Sequence, residues 1–356
     1  MEIKYDLNAS HAARGVALLM LLWHHLFFMM CTVYILPVCI SSNYAKVCVP
    51  IFILLSGYSL ASTVKDKPIG LMAFYKKRLS RLYMNYWLIA IIFIPIGIIF
   101  GYRPLESVFP TAPYLKLFLQ MTGFHMFIND VGLGYNPTWW FMSTILALYV
   151  LFPLIYYMVK KFGLWFLFAC FFLNFPLNKA SNFTFLTVWL FTFSLGIYLA
   201  RTNVLVKISM MLKRIGFFRF IILGALILLA VYIRQHVAWL YQIDYITILG
   251  FDWISGIIII LLIFEITQAW SNGQLVLAFL GRHLFNIFLF HTFILMYWTN
   301  FIYGFAYPAL IFLVLLAISI IVSMAIEFIK KLLHFEDILS KIDGIQVKDY
   351  FFIKSE

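Results

Sequence analysis

The chain is dominated by apolar runs of membrane-crossing length, separated by short segments that collect its charge. Runs at 14–35, 47–64, 84–101, 138–158, 163–178, 184–200, 217–234, 245–265, 284–302 and 306–328 predict ten spans. Each is near the roughly 20 residues a helix needs to cross hydrocarbon. No water reaches that region, so backbone N–H and C=O groups must pair inside the chain, and a helix pairs them all. The expected fold is therefore an all-α polytopic membrane protein. Hydrophobic residues form 64% of the chain and charged residues 11%, which excludes an ordinary soluble domain.

The formal charge of +12 would suggest nucleic acid in a soluble protein, but here the cations sit between apolar runs. The segment 65–82 holds Lys65, Lys67, Lys76, Lys77, Arg78 and Arg81, and 201–219 holds Arg201, Lys207, Lys213, Arg214 and Arg219. Lys160, Lys161, Arg282 and the tail lysines fall on the same side, whereas the other side receives only Lys46, Arg103, Lys116, Lys179 and Arg234. That bias places both termini in the cytoplasm and argues for the bilayer, not nucleic acid, as the charge's partner. The first run is too long for a signal peptide and lacks a cleavage pattern, so it is expected to stay as a span of a multi-pass protein of the cytoplasmic membrane. No linker or repeat divides residues 1–335, read as one membrane domain, and 336–356 reads as a short cytoplasmic tail. The loop 102–137, with Pro104, Pro110, Pro113 and Pro137, is expected to be a partly ordered cap.

Ionisable groups inside the apolar runs are the candidate functional residues, because burying them in hydrocarbon is costly. Arg14 and His25 stand eleven residues apart in the first run. That is close to three turns, so both project from one face, roughly 16 Å apart along the axis. His24 lies about 100° around the helix and faces a different neighbour. His291, in the ninth run after Arg282 and His283, is a second intramembrane imidazole, and a single one of this kind often serves as a helix–helix hydrogen-bond partner. Arg78 and Arg81 share a face just before the third run, with Lys76 and Lys77 beside them. Such guanidinium forks match phosphate geometry, but cations there also anchor helices against anionic lipid.

Ser56, Gly57 and Ser59 interrupt an apolar run, where small residues allow close helix packing or close backbone approach to a ligand. Trp139 and Trp140 open the fourth run, either as an interfacial belt or as a stacking surface for a sugar. The cysteines Cys31, Cys39, Cys48 and Cys170 lack metal-ligand spacing, and no His-x-x-x-His pair accompanies a carboxylate, so no metal is expected. The thiols read as inert, or as a Cys39–Cys48 disulfide if their loop is oxidising.

Taken in order, these residues resemble the acyltransferase family 3 membrane O-acyltransferases, which include acetylases of O-antigen and other surface glycans. The resemblance covers most of the chain. Its first-span arginine and histidine fall on Arg14 and His25, its Arg-x-x-Arg on Arg78 and Arg81, and its small-residue motif on Ser56, Gly57 and Tyr58. Its fourth-span tryptophan, tyrosine and proline fall on Trp140, Tyr149 and Pro153, and its late Gly-Arg and histidine on Gly281, Arg282 and His291. Two positions depart from the pattern: His11 stands where many members carry an acid, and Ile145 where members fused to an esterase-like domain have glutamate. The chain thus resembles the stand-alone branch.

The resemblance implies transfer of an acyl group, most simply acetyl, from cytosolic acyl-CoA to a hydroxyl of an extracytoplasmic or lipid-linked glycan. Acyl-CoA is then a co-substrate, with no permanently bound cofactor. Arg78, Arg81, Lys77, Ser56, Gly57 and Arg282 would serve the donor, and His25, Arg14 and His291 the chemistry. His25 would act either as general base on the acceptor hydroxyl or through a transient acyl-histidine. Trp139, Trp140 and Asp252, at the outer end of the eighth run, are candidates for the acceptor. A transporter or flippase of a lipid-linked sugar would also use ten spans and buried polar groups, and is the competing expectation.

Overall fold

The computed structural model describes residues 7–28, 36–65, 70–128, 131–177, 184–241 and 251–344. All regular structure among them is helical, in sixteen α-helices and three short 3-10 turns. Six stretches are long and apolar enough to cross a membrane: Leu36–Val64, Leu71–Ile99, Pro137–Phe162, Phe218–His236, Asn272–Tyr297 and Pro308–Leu332. A seventh is formed if Leu186–Thr202 and Val204–Lys213, bent by 68°, count as one. The ten-span expectation differs at the first, fifth and eighth runs. Those fall on Leu7–Phe27, whose apolarity is diluted by His11, Arg14, His24 and His25, and on the shorter apolar helices Leu164–Leu173 and Trp253–Ala269.

The described chain forms two compact units, the first comprising Met1–Lys65, Met158–Ala180 and Thr187–Leu284. It contains α1 (Leu7–Phe27), α2 (Leu36–Tyr44), α3 (Cys48–Val64), most of α9 (Thr184–Thr202), α10 (Val204–Lys213), α11 (Phe218–Tyr241), α12 (Trp253–Ala269), the first half of α13 (Ser271–Tyr297) and α8 (Leu164–Leu177). Helix α1 runs through its middle, packed on α2, α3 and α12, with Ala12, Ala17, Leu18, Leu22 and Leu26 fully buried. Glycines set the closest approaches. A Cβ on Gly15 would land on the Leu277 carbonyl and one on Gly281 on the His11 carbonyl, so α1 and α13 touch backbone to backbone. Gly57 and Gly196 do the same for α3 and α9, each seated on a carbonyl of the other helix, Phe193 and Leu54. These are the small-residue contacts that let helices associate where no hydrophobic effect separates lipid from protein.

The second unit comprises Asp66–Tyr157, Ser181–Leu186 and Phe285–Glu356. It holds α4 (Leu71–Ile99), α5 (Leu105–Val108), α6 (Pro113–Met121), most of α7 (Trp140–Phe162), the second half of α13, α14 (Thr299–Ile302), α15 (Pro308–Leu332) and α16 (Phe335–Gly344). The Phe93 ring stacks on Phe290 and Phe293, at centroid distances of 5.5 and 5.3 Å. The expected cap is ordered over its described residues and pinned from below. Tyr86 donates to the Gln120 carbonyl at 2.8 Å, Tyr83 to that of Thr122 at 2.6 Å and Trp87 to that of Met121 at 2.9 Å. Part of the expected tail is also structured: α16 packs against α4, burying Phe335 and Leu339.

Candidate active site

The first unit carries Arg14, His25, Ser56, Gly57, Asp252 and Arg282 from the expected set, and the second carries Lys77, Arg78, Arg81, Trp139, Trp140 and His291. Arg14 and His25 lie on one unbroken helix, and both are half-buried. Nη2 of Arg14 donates to Ser59 Oγ at 2.8 Å, which fixes the guanidinium against α3. His11 lies within electrostatic reach of both Arg14 and Arg282, so two guanidinium groups gather where the start of α1 meets α13. His24 points elsewhere, as its position on the helix required: it is buried, with Nδ1 donating to the Ser42 carbonyl at 2.8 Å. Its ring meets that of His25 edge-on at 5.1 Å.

Gly57 serves the α3–α9 contact, which favours packing over ligand approach for the small-residue motif. Asp252 is almost fully buried just ahead of α12, and its carboxylate is taken up by Arg234, with Nε at 2.9 Å and Nη2 at 3.4 Å. Arg234 also donates to Asn43 at 3.1 Å. Asp252 therefore ties α11 and α2 to α12, instead of lying open to a sugar. The Cys39–Cys48 bond does not form: Cys48 is a buried free thiol within the α3 core, as is Cys170 in α8, and Cys39 is disulfide-bonded. Cys31 lies outside the described residues.

In the second unit, Arg78 and Arg81 stand in the first turns of the same helix that carries the third apolar run, because α4 begins at Leu71. Arg78 is half-buried within electrostatic reach of Tyr149, the tyrosine of the fourth-span pattern, and of Arg81. Arg81 is exposed and sits 3.5 Å from Glu336 of α16, and Lys77 is exposed beside them. His291 is fully buried. Its Nδ1 lies 2.9 and 3.0 Å from the carbonyls of Ile287 and Phe288, so the proton sits on Nδ1 and the lone pair on Nε2. The tryptophans separate. Trp139 is fully buried against Tyr86 and Phe293 and donates to the Leu289 carbonyl at 3.0 Å, so it is neither a belt residue nor open to an acceptor. Trp140 stays half-buried.

Several buried polar groups were not singled out from the sequence. Glu265, fully buried in α12, pairs with Arg219 at 2.8 Å and accepts from Ser209. A lone acid inside the apolar run IIIILLIFEIT was the available signal. Asn136 caps the turn before α7, accepting from Thr138 N at 3.0 Å and from the hydroxyls of Thr138 and Thr292, both at 2.8 Å. Asn286 in α13 joins Glu327 at 2.6 Å and Lys330 at 2.8 Å. In the cap, His125 is fully buried with Nδ1 3.2 Å from Ser143 Oγ, and burial pushes its pKa down to about 4.

A helical polytopic membrane protein with ionisable groups lodged along one helix is what these features define. The chain belongs to acyltransferase family 3: that family's profile, described as an acyltransferase domain, matches residues 7–328, from the start of α1 into α15. At family level it is a membrane acyltransferase. No curated protein and no solved structure matches it.

Proposed function

We propose that the chain is an O-acyltransferase that moves an acyl group, most simply acetyl, from cytosolic acyl-CoA to a hydroxyl of an extracytoplasmic or lipid-linked glycan. The observation that carries this reading is the pair on α1. In a chain of this family, a guanidinium held by Ser59 and an imidazole eleven residues on share one helix face, while the adjacent His24 is committed to α2. Arg78, Arg81 and Lys77 would hold the phosphates of the donor, since arginine forks pair with phosphate oxygens in two parallel bonds. Arg14, with Arg282 near it, would draw the same anion toward α1.

His25 would take the proton of the acceptor hydroxyl as its oxygen attacks the thioester carbonyl. The carbon–sulfur bond then breaks, and the proton passes from His25 to the departing CoA thiolate. His291, with its lone pair on Nε2, suits a supporting role as a proton acceptor. Trp140 is the aromatic of its pair left to face an acceptor.

The test is transfer of labelled acetyl from acetyl-CoA by membrane vesicles bearing His25→Ala in amounts equal to wild type. Loss of transfer with insertion intact is the expected result, and wild-type rates would remove His25 from the reaction. Arg78→Ala and Arg81→Ala should raise the apparent KM for acetyl-CoA, and an unchanged KM in both would return those arginines to lipid anchoring.

A further inference from the structure

We infer that Ser59 is a positioning residue that holds the Arg14 guanidinium in the orientation that receives the donor, an assignment that rests on the donor-binding reading of Arg14 above. A free arginine side chain is rich in rotamers and carries five N–H donors on a planar fork. Left to itself it samples many orientations, and a ligand that needs one of them must supply the cost of ordering. The bond from Nη2 to Ser59 Oγ, 2.8 Å long and partly buried, fixes the plane of the fork before any ligand arrives.

Both ends of the bond stand on backbone that is closely packed against a neighbouring helix. Arg14 precedes Gly15, whose missing side chain lets α1 lie directly on the Leu277 carbonyl, and the reciprocal seat of Gly281 on the His11 carbonyl lies a turn away. Ser59 follows Gly57 by two residues, and Gly57 and Gly196 lock α3 to α9 in the same reciprocal way. Each pair is closely packed within itself, and α1 also packs directly on α3, which sets the guanidinium beside the hydroxyl. A serine hydroxyl in a helix otherwise tends to bond a carbonyl of its own preceding turn; here its oxygen accepts from another helix. Arg282, within electrostatic reach of the same His11 as Arg14, adds a second guanidinium that favours an anion at this place.

The experiment is a double-mutant cycle on the full chain, purified in detergent, reading the Kd of acetyl-CoA by calorimetry and the thermal midpoint without ligand. Ser59→Ala should weaken acetyl-CoA binding about tenfold. Ser59→Thr, which keeps the hydroxyl, should restore most of that. In an Arg14→Ala background, Ser59→Ala should add less than about twofold, because a residue that acts through another has nothing left to act on. A thermal midpoint close to that of wild type should accompany these changes. The assignment is overturned if Ser59→Ala leaves Kd unchanged while Arg14→Ala raises it, or if Ser59→Ala has its full effect without Arg14. Should Arg14→Ala itself leave the Kd at the wild-type value, the donor reading of Arg14 falls and this assignment falls with it.

Discussion

Lowering the pH should loosen the cap through His125, and the size of the effect follows from its surroundings. The imidazole is fully buried in a 3-10 turn between α6 and α7, with Ser143 Oγ 3.2 Å from Nδ1. Burial disfavours the charged ring and moves its pKa from 6.5 down to about 4. Because the closed state holds the neutral ring, an opened state binds more protons between those two values. The stabilisation is therefore complete above about pH 6.5 and is lost as the pH falls toward 4. At 1.36 kcal/mol per pH unit the whole window amounts to about 3 kcal/mol, of which about 2 kcal/mol falls between pH 7 and pH 5. Hydrogen exchange of the amides from 118 to 128, corrected for intrinsic rates, should then lose protection by about twentyfold from pH 7 to pH 5. His125→Asn, which cannot charge, should flatten that response. Equal pH dependence in wild type and variant would refute the reasoning, since the other titrating groups are common to both.

Three further outcomes follow from packing and charge. Arg219→Ala leaves the Glu265 carboxylate buried with Ser209 as its remaining partner, and should destabilise the first unit by about 3 kcal/mol, read as a lower thermal midpoint in detergent; Arg219→Ala with Glu265→Leu should recover much of it. Gly281→Val should force α13 off the His11 carbonyl and reduce the folded yield sharply, whereas Gly224→Ala, where a Cβ meets nothing, should be silent; equal yields would discard the backbone contact. Cys48 and Cys170 should resist a membrane-permeant maleimide until the protein is denatured, and rapid labelling of either would contradict its burial.

The helical class was legible because long apolar runs allow few alternatives, and Arg14 and His25 were legible because helix periodicity alone puts them on one face. The number of spans was less so. Where polar groups dilute a run, as in α1, or where the helix is short, as in α8 and α12, hydropathy does not separate a crossing helix from an apolar helix buried in the bundle. The extent of α4 was legible in part: Arg78 and Arg81 were read on one helix face ahead of the run 84–101, and because lysine and arginine are good helix formers that face belongs to one unbroken helix from Leu71. Trp139 and Trp140 look alike in sequence, yet Trp139 closes a 3-10 turn with its ring in the core and Trp140 opens α7 with its ring half-buried. Partners such as Glu265 for Arg219, or Arg234 for Asp252, join residues 46 and 18 positions apart and depend on which helices meet, a matter that local pattern does not specify.

The reciprocal glycine seats of α1 on α13 also limit how this molecule can work. With oxygen of one backbone resting where the other has no side chain, the first helix has no freedom to slide like a piston or to turn about its axis without collision. It acts as a fixed rail. If a donor is held at Arg14 and used at His25, as proposed, its own flexible arm or a motion of the surrounding helices would span that distance, and not a stroke of the helix that bears both groups.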